Sequence, residues 1–150
     1  MRIIGSCMET GTYTDVRSVA DFPSFHDAEL FSIAHDIDAR SLDLRFRRVG
    51  GEVEALRFSG VFSQRLIDFA SQNVASRLLI SPKYTFTLAE VRTWVQWINS
   101  RDDSKGKAMS AEEGEECVED IRAGRRALFV LEPSCGAELA VLCESIFLKR

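Results

Sequence analysis

Residues 42–61 read LDLRFRRVGGEVEALRFSGV, and this stretch decides the fold. Its first part alternates apolar and charged side chains, which is typical of a strand with one buried face. The alternation resumes at Leu56 and Phe58. Gly50-Gly51 between the two parts is a turn signal, because glycine accepts positive φ angles. The stretch therefore predicts a β-hairpin whose two strands bury a common face.

The register of this hairpin follows from burial. A symmetric two-residue loop would put the apolar faces of the two strands on opposite sides of the sheet, because side chains alternate with a period of two. A three-residue loop, Gly50 to Glu52, keeps both apolar faces on one side. This register places Phe46 opposite Leu56, and it places Arg48 opposite Glu54 as a favourable charge pair.

The same register creates a group of arginines on the polar face. It places Arg45 opposite Arg57, which is unfavourable unless an anion or Asp43 lies near. Arg40 and Arg47 are expected on or beside the same face. Such a group can bind phosphate or carboxylate groups, or it can form the solvated face of an antiparallel sheet. The sequence leaves both interpretations open.

Further strands are predicted on either side of the hairpin. Residues 25–38 resemble a strand that completes a three-stranded antiparallel meander. A second hairpin spans residues 126–149, with a turn at 132–136 and a return strand over 137–148. Because its strands are apolar on both faces, the sheet should carry helices on at least one side. Within the strand at 25–38, one face is expected to carry Phe31, Ile33, His35 and Ile37.

Two capping boxes predict the two main helices. Residues 87–100 begin with Thr-Leu-Ala-Glu, and their apolar stripe favours a helix over the alternative of a strand. Residues 110–113, Ser-Ala-Glu-Glu, begin a second helix that should run to about Ala123 and stop at Gly124. The stripe of the first helix consists of Leu88, Val91, Trp94, Val95 and Ile98.

Two segments are harder to assign. Residues 62–81 are expected to cross the molecule as irregular or short helical chain before a strand that ends at Pro82. Residues 1–24 contain a candidate edge strand and a few apolar residues at helical spacing. The pattern as a whole predicts a single α+β domain over residues 1–150. We expect a mostly antiparallel sheet of about five to seven strands, a meander plus a C-terminal hairpin, with two main helices packed on it.

The composition bounds the function. Of the 150 residues, 45% are hydrophobic and 28% are charged, as in an ordinary globular domain. The formal net charge of −4 argues against a general nucleic-acid binder. The sequence holds no run of about 18 apolar residues that would predict a membrane span. The apolar stretch at its start is too short for the core of a signal peptide.

The cysteines indicate a reducing compartment. The chain has four, and none forms a C-x-x-C pair. This pattern favours free thiols in the cytoplasm over a disulfide framework or a zinc site. Cys135 falls in the turn of the second predicted hairpin, where a nucleophile would be exposed. No neighbouring base in the sequence would activate it, so an unreactive turn cysteine is the favoured interpretation.

Two histidine–aspartate pairs invite a chemical interpretation. His26-Asp27 and His35-Asp36 contain residues used in acid–base and ligand sites, and histidine titrates near neutral pH. A spacing of nine residues along a strand, however, puts the two histidines on opposite faces. A core-edge histidine and a capping aspartate are therefore the favoured interpretation of the pairs. The alternative function is therefore a small enzyme or ligand-binding domain that uses His26, Asp27 and His35.

The second predicted helix opens with a dense acidic run. Residues 112–120 hold six acids in nine positions, which form either a solvated helix face or a surface for a basic partner. Trp97 lies about 120° from the centre of its own helix stripe. It is either an exposed anchor for a partner or packs under the loop at 101–109. The candidate partner-binding residues are Glu112, Glu113, Glu115, Glu116, Glu119 and Trp97.

Short runs near the two ends of the chain carry a family resemblance. The run FHDAEL at residues 25–30, the meander after it and the run PSCGAEL at residues 133–139 resemble small bacterial immunity proteins of polymorphic toxin systems. Residues 62–110 take no part in the resemblance. It implies a cytoplasmic protein that neutralises a toxin by binding it. Because such proteins recognise their toxins through variable surfaces, the resemblance assigns no binding residue.

The sequence therefore predicts a non-enzymatic intracellular protein-binding domain, with immunity-like inhibition of a toxin as its specific form. The expected partner is another protein, basic if the acidic helix binds it. No cofactor, metal, nucleic acid or membrane is expected.

Overall fold

The computed structural model describes residues 12–150. Within them, nine strands form one antiparallel sheet on which two helices pack, which confirms the α+β prediction with more strands than expected. Neither helix is long and apolar enough to cross a membrane. The α-helices are α1 (Leu88–Ile98) and α2 (Ala111–Arg122), and a short 3-10 helix spans Val16–Ser18. The strands are β1 (Thr14–Asp15), β2 (Glu29–Asp36), β3 (Ser41–Arg47), β4 (Val53–Ser59), β5 (Ser63–Ile67), β6 (Val74–Ile80), β7 (Ala127–Cys135), β8 (Glu138–Cys143) and β9 (Ser145–Lys149).

The sheet curls back on itself. Its strand order is β1-β9-β4-β3-β2-β6-β7-β8-β5. β8 and β9 stand towards opposite ends of this order, yet only Glu144 separates them in the chain. The N–H of Glu144 donates to the carbonyl oxygens of Ser59 and Gly60, each at 3.1 Å, which fixes the corner. The half β1-β9-β4-β3-β2 is therefore folded over the half β6-β7-β8-β5.

An inner core fills the space between the two halves. Phe58 of β4 and Phe129 of β7 meet there edge to face, with ring centroids 4.8 Å apart. Both side chains are fully buried, although their strands are not neighbours in the sheet. The inner core also contains Leu30, Leu42, Leu44, Phe46, Leu56, Leu131, Leu139, Val141, Ile146 and Leu148.

A second core lies between the helices and the outside of the half β6-β7-β8-β5. Val91 and Val95 of α1 and Cys117 of α2 pack there against Leu128 and Val130 of β7. Strand β7 is thus covered on both faces, which explains its continuous apolar run. The prediction that helices cover at least one face of the sheet is confirmed.

Both predicted capping boxes are present. The hydroxyl of Thr87 accepts from the N–H of Glu90 at 3.1 Å, and the Glu90 carboxylate accepts from the N–H of Thr87 at 2.9 Å. Ser110 and Glu113 repeat the arrangement at α2. Residues 88–98 are accordingly helical, and the alternative of a strand is wrong.

The hairpin forms as predicted, with a different register. The three-residue loop runs from Val49 to Gly51, because the N–H of Arg48 donates to the carbonyl of Glu52 at 2.8 Å. The predicted loop, Gly50 to Glu52, is wrong by one residue. A turn followed by a residue with positive φ is the standard three-residue loop, and Gly51 takes that position with φ of 96°.

The corrected loop moves every cross-strand pair. Phe46 lies opposite Glu54, where Leu56 was predicted. Arg57 lies opposite Asp43 and Arg45 lies opposite Ala55, so the predicted pairing of Arg45 with Arg57 is wrong. Burial did not decide the register, because shifting it by two residues leaves the same side chains on the same faces.

Strand β2 contains a bulge that the sequence analysis missed. Leu30 pairs with Phe46 and Ser32 with Arg45, which leaves Phe31 as the extra residue between them. The bulge turns the Phe31 side chain to the face opposite Ile33, so the predicted common face of these two residues is wrong. Ile37 lies in the following turn and is 74% exposed.

The segment 62–81 forms two strands, β5 and β6, and the predicted helical or irregular crossing is wrong. Between them, the buried Asn73 side chain replaces missing backbone partners. Its Oδ1 accepts from the N–H groups of Ala70 at 2.8 Å and Ala137 at 3.0 Å, and its Nδ2 donates to Ala70. The C-terminal hairpin is confirmed, but β7 runs to Cys135 and the return strand is broken at Glu144.

We expect Phe58→Leu and Phe129→Leu each to lower the free energy of unfolding by about 1–2 kcal/mol, because each removes part of a packed inner core. The two effects should be coupled by about 0.5–1.5 kcal/mol through the ring contact. Denaturant unfolding of the single and double variants measures the coupling. Pairing Phe58→Leu with Trp94→Leu, on the helix side of the sheet, is the control and should give additive effects. Additivity for the two phenylalanines would contradict the folded-over sheet.

Candidate functional site

The candidate site lies on the outer face, the side of β2, β3, β4 and β9 turned away from the inner core. Side chains there alternate with the buried ones, and neither helix packs on them. One cross-strand row consists of Ser32, Arg45, Ala55 and Lys149. The next row consists of Ala34, Asp43, Arg57 and Phe147.

The Phe31 patch, made of Phe31, Arg45, Arg47 and Val53, lies at the loop end of this face. The guanidinium carbons of Arg45 and Arg47 lie 5.2 and 4.6 Å from the Phe31 ring centroid, within the range of cation–π contacts. Val53 lies opposite Arg47 and is 39% exposed. At the bulge, Leu30 before it and Ile33 after it both face the inner core, and the extra residue Phe31 lies with Ser32 on the outer side, where it forms the patch.

The patch has little acidic compensation. Arg47 makes an ion pair with Glu29 at 3.9 Å, and both side chains are half exposed, so water weakens the attraction. Arg45 makes no ion pair with a carboxylate in the described part of the chain. Two cations, an aromatic ring and an exposed aliphatic side chain thus lie together on a rigid sheet.

The middle of the outer face is held by a cross-strand ion pair. Arg57 donates to the two carboxylate oxygens of Asp43 from Nε at 2.8 Å and from Nη2 at 3.1 Å. The Tyr13 ring lies 4.1 Å from the guanidinium carbon of Arg57 and 5.4 Å from Nζ of Lys149. Aromatic rings and cations therefore alternate along much of this face.

The structure does not bring His26, Asp27 and His35 together. His26 precedes β2, where its Nδ1 lies 2.8 Å from the Ser76 carbonyl oxygen and its Nε2 lies 3.5 Å from the Asp27 carboxylate. His35 lies towards the other end of β2, after about 20 Å of strand. It lines an open pocket of about 540 Å³ with Asp43 and Arg57.

The five glutamates of the acidic run are all exposed on α2. Glu113 is part of the capping box. The hydrogen bond that its carboxylate accepts from the Ser110 N–H lowers the pKa of the Glu113 carboxyl group. Glu119 pairs with Arg122 at 3.3 Å. Glu112, Glu115 and Glu116 make no ion pair with any residue in 12–150. Glu112 lies in the first turn, where the helix dipole stabilises a negative charge, so Glu115 and Glu116 are the least compensated members of the group.

Trp97 is half buried and does not stand out as an isolated anchor. Its ring packs against Trp94, with centroids 5.6 Å apart, and under the guanidinium of Arg65 at 4.7 Å. Arg65 also donates to the Trp97 carbonyl oxygen and to Asp102 in the 101–109 loop. The packing next to this loop is therefore the better description of Trp97.

Glu54 is buried at one end of the inner core, because it lies on the same face of β4 as Leu56 and Phe58. Its carboxylate lies 3.6 Å from Nη1 of Arg48 and 3.4 Å from Nε of Arg150. The same arginines donate to the carbonyl oxygens of Ser24 and Asp21. The carboxylate thus holds two cations that fasten residues 21–24 over the core.

The cysteines differ in exposure. Cys117 and Cys143 are buried, and burial raises the pKa of both thiols. Cys135 is exposed, with its Sγ 3.9 Å from the Gln72 carbonyl oxygen. Within residues 12–150, no three histidine, cysteine or acidic side chains are grouped so that they could hold a metal ion.

Sequence reasoning found the arginines of the outer face and the exposure of the acidic run. It missed the Phe31 patch, because the patch depends on the bulge. One signal was present: Leu30-Phe31 places two apolar residues in succession inside an alternating strand. Such a break of the alternation is the mark of an inserted residue.

Comparisons of the chain with known protein families, with curated proteins and with solved structures find no match.

We expect iodoacetamide to modify Cys135 in the native protein while Cys117 and Cys143 stay unmodified, because a thiol reacts as the exposed thiolate. Mass spectrometry of the digested protein measures the labelling at each site. Labelling in denaturant, where all three should react, is the control. Fast native labelling of Cys143 would contradict its buried position.

Proposed function

We propose that this protein works by binding another protein through the outer face, with the Phe31 patch at the centre of the contact. One observation carries the proposal: two exposed arginines stack on Phe31 beside the exposed Val53. Arginine and aromatic residues dominate the energetic centres of protein interfaces, and such centres have few acidic or lysine side chains.

The arrangement of the patch also favours tight binding. Association loses free energy when flexible side chains become ordered at the interface. Here the stacking on Phe31 restrains Arg45 and Arg47 before any partner arrives, and the paired strands β2, β3 and β4 restrain the backbone. Less ordering is left for the binding step.

The resemblance to bacterial immunity proteins suggests a specific role, the inhibition of a toxin by direct binding. An inhibitor of that kind needs a stable scaffold and one exposed recognition face, and the outer face supplies such a surface. The cytoplasm is the compartment that fits this role. The free thiols of Cys117, Cys135 and Cys143 support it, since disulfides are rare there.

The acidic run on α2 is a second candidate surface, for a basic partner. Glu115 and Glu116 support it, because both are exposed and neither is paired within the described residues. The small enzyme or ligand-binding domain remains the alternative. It would now rest on the pocket of His35, Asp43 and Arg57, since His26 and Asp27 lie elsewhere.

We expect Val53→Arg to weaken the complex with the native partner at least about tenfold, because a long side chain at an interface centre disrupts close packing. The measurement is co-purification of partners with the tagged full chain from its native host, quantified by mass spectrometry. Ile37→Arg is the matched control. It makes the same substitution at an exposed aliphatic residue, in the turn at the far end of the meander.

The proposal holds if one protein co-purifies with the wild-type chain in a near-equal molar amount, is lost with Val53→Arg and is kept with Ile37→Arg. Recovery that is equal with both variants, or recovery of the bare chain alone, would overturn it.

For the second surface, the double variant Glu115→Lys/Glu116→Lys should release a basic partner at low salt, because it reverses the charges that attract it. These positions spare the capping residue Glu113, so α2 should stay folded, which circular dichroism checks. A complex that is unchanged by the reversal and by added salt would rule out the acidic surface.

A further inference from the structure

We infer that Arg45 and Arg47 form a carboxylate-binding anchor, so that the partner of the outer face is a protein presenting an extended acidic segment. The inference rests on the proposed function and adds the chemistry of the partner.

The contact with Phe31 leaves the N–H donors of both arginines available. It is a cation–π contact, and within residues 12–150 neither guanidinium donates a hydrogen bond. Those donors match the two oxygens of a carboxylate, and a paired contact of this kind is among the strongest hydrogen-bonded interactions in proteins. Phe31 therefore holds two carboxylate receptors in position on β3.

The charges of the patch are incomplete without a partner. Arg45 has no carboxylate among the described residues, and Arg47 has only the long, exposed contact with Glu29 at 3.9 Å. The two cations also repel each other, because they lie on the same face of β3, two residues apart. An acidic partner removes this repulsion and supplies both missing ion pairs.

The spacing specifies the segment. Residues two apart on a strand are separated by about 6.5–7 Å. Two acidic residues separated by one other residue in an extended chain present carboxylates at the same distance. The side chain between the two acids would face away, and a neighbouring apolar residue would meet Val53. The predicted recognition element is thus an extended acid-x-acid segment with an apolar neighbour.

Nucleic acid fits the patch less well than carboxylates. Single-stranded nucleic acids bind by stacking their bases on open aromatic faces, whereas arginines occupy the Phe31 ring. The chain also carries a net charge of −4, which repels a long polyanion. A protein carboxylate is therefore the ligand that the patch favours, and nucleic acid is an outcome that the test can reveal.

The test is a titration of the full chain with a hexaglutamate peptide. Nuclear magnetic resonance of the arginine Nε–H groups monitors the binding. The Arg45 and Arg47 signals should shift saturably. Arg45→Gln/Arg47→Gln should weaken binding at least about tenfold, as expected for the loss of two charge-assisted contacts. Arg45→Lys/Arg47→Lys should fall between this variant and the wild type, because lysine keeps the charge without the paired donors.

The matched control is Arg101→Gln/Arg122→Gln, which removes the same charge from exposed positions off the outer face. It should leave peptide binding within about twofold of the wild type, since distant surface charges are screened. Equal weakening by both pairs, or peptide binding without shifts at Arg45 and Arg47, would overturn the anchor. Tighter binding of a six-residue oligothymidylate than of hexaglutamate would overturn the assignment to a protein carboxylate.

Failure of the anchor and failure of the proposed function can be told apart. A native partner that is lost with Val53→Arg but kept with Arg45→Gln/Arg47→Gln would overturn the anchor alone. Hexaglutamate binding at Arg45 and Arg47, combined with no partner sensitive to Val53→Arg, would overturn the proposed function alone.

Discussion

The closure of the sheet on itself is the constraint on which the rest of the structure depends. Because one residue, Glu144, joins β8 to β9, consecutive strands enter opposite halves of the sheet. The halves must then face each other, and Phe58 meets Phe129 between them. This closure fixes which side of each strand is buried, and it leaves each half of the sheet with an outer surface. Helices α1 and α2 cover the outer surface of one half, and neither helix packs on the outer surface of the second half.

The exposed surface owes its chemistry to a local irregularity. An antiparallel sheet with one solvated face normally shows scattered polar side chains there. The bulge in β2 adds a phenylalanine to this face, and the arginines that would otherwise be free in water stack on it. A single inserted residue thus converts a solvated face into an ordered group of cation and ring. The acidic run on α2 belongs to a separate element, packed on the other half of the sheet, so the two charged surfaces need not serve the same partner.

The sequence predicted what depends on neighbours in the chain. The capping boxes at Thr87 and Ser110 place the helix starts correctly, since a cap involves residues three positions apart. The meander follows from the alternation of side chains. The register of the hairpin could not be predicted in this way, because it depends on the positive φ angle of Gly51. Burial does not distinguish two registers that differ by two residues. Strand β5 was missed because it pairs with β8, which is distant in sequence, and because its Leu66 remains partly exposed at the sheet edge.

The same division holds for the candidate site. The exposure of the five glutamates follows from the helical pattern of residues 111–122, which can be recognised within that short stretch of sequence. The Phe31 patch needs the bulge, the corrected register of β3 against β4 and the exposure of Val53 together. These three features combine only in the folded sheet, and of the three only the bulge left a local signal in the sequence, at Leu30-Phe31.

The position of β9 has a consequence for how the chain is made. This last strand pairs with β4 and with β1, so residues 145–149 complete a half of the sheet that is otherwise built from residues 14–59. A ribosome releases the meander long before it releases β9. Until then β4 offers an unpaired edge, and the inner side of the meander is only partly covered, because β7 and β8 emerge just before β9. The growing chain therefore passes through a stage that can pair with other chains, and slow synthesis between β4 and β9 would prolong that stage.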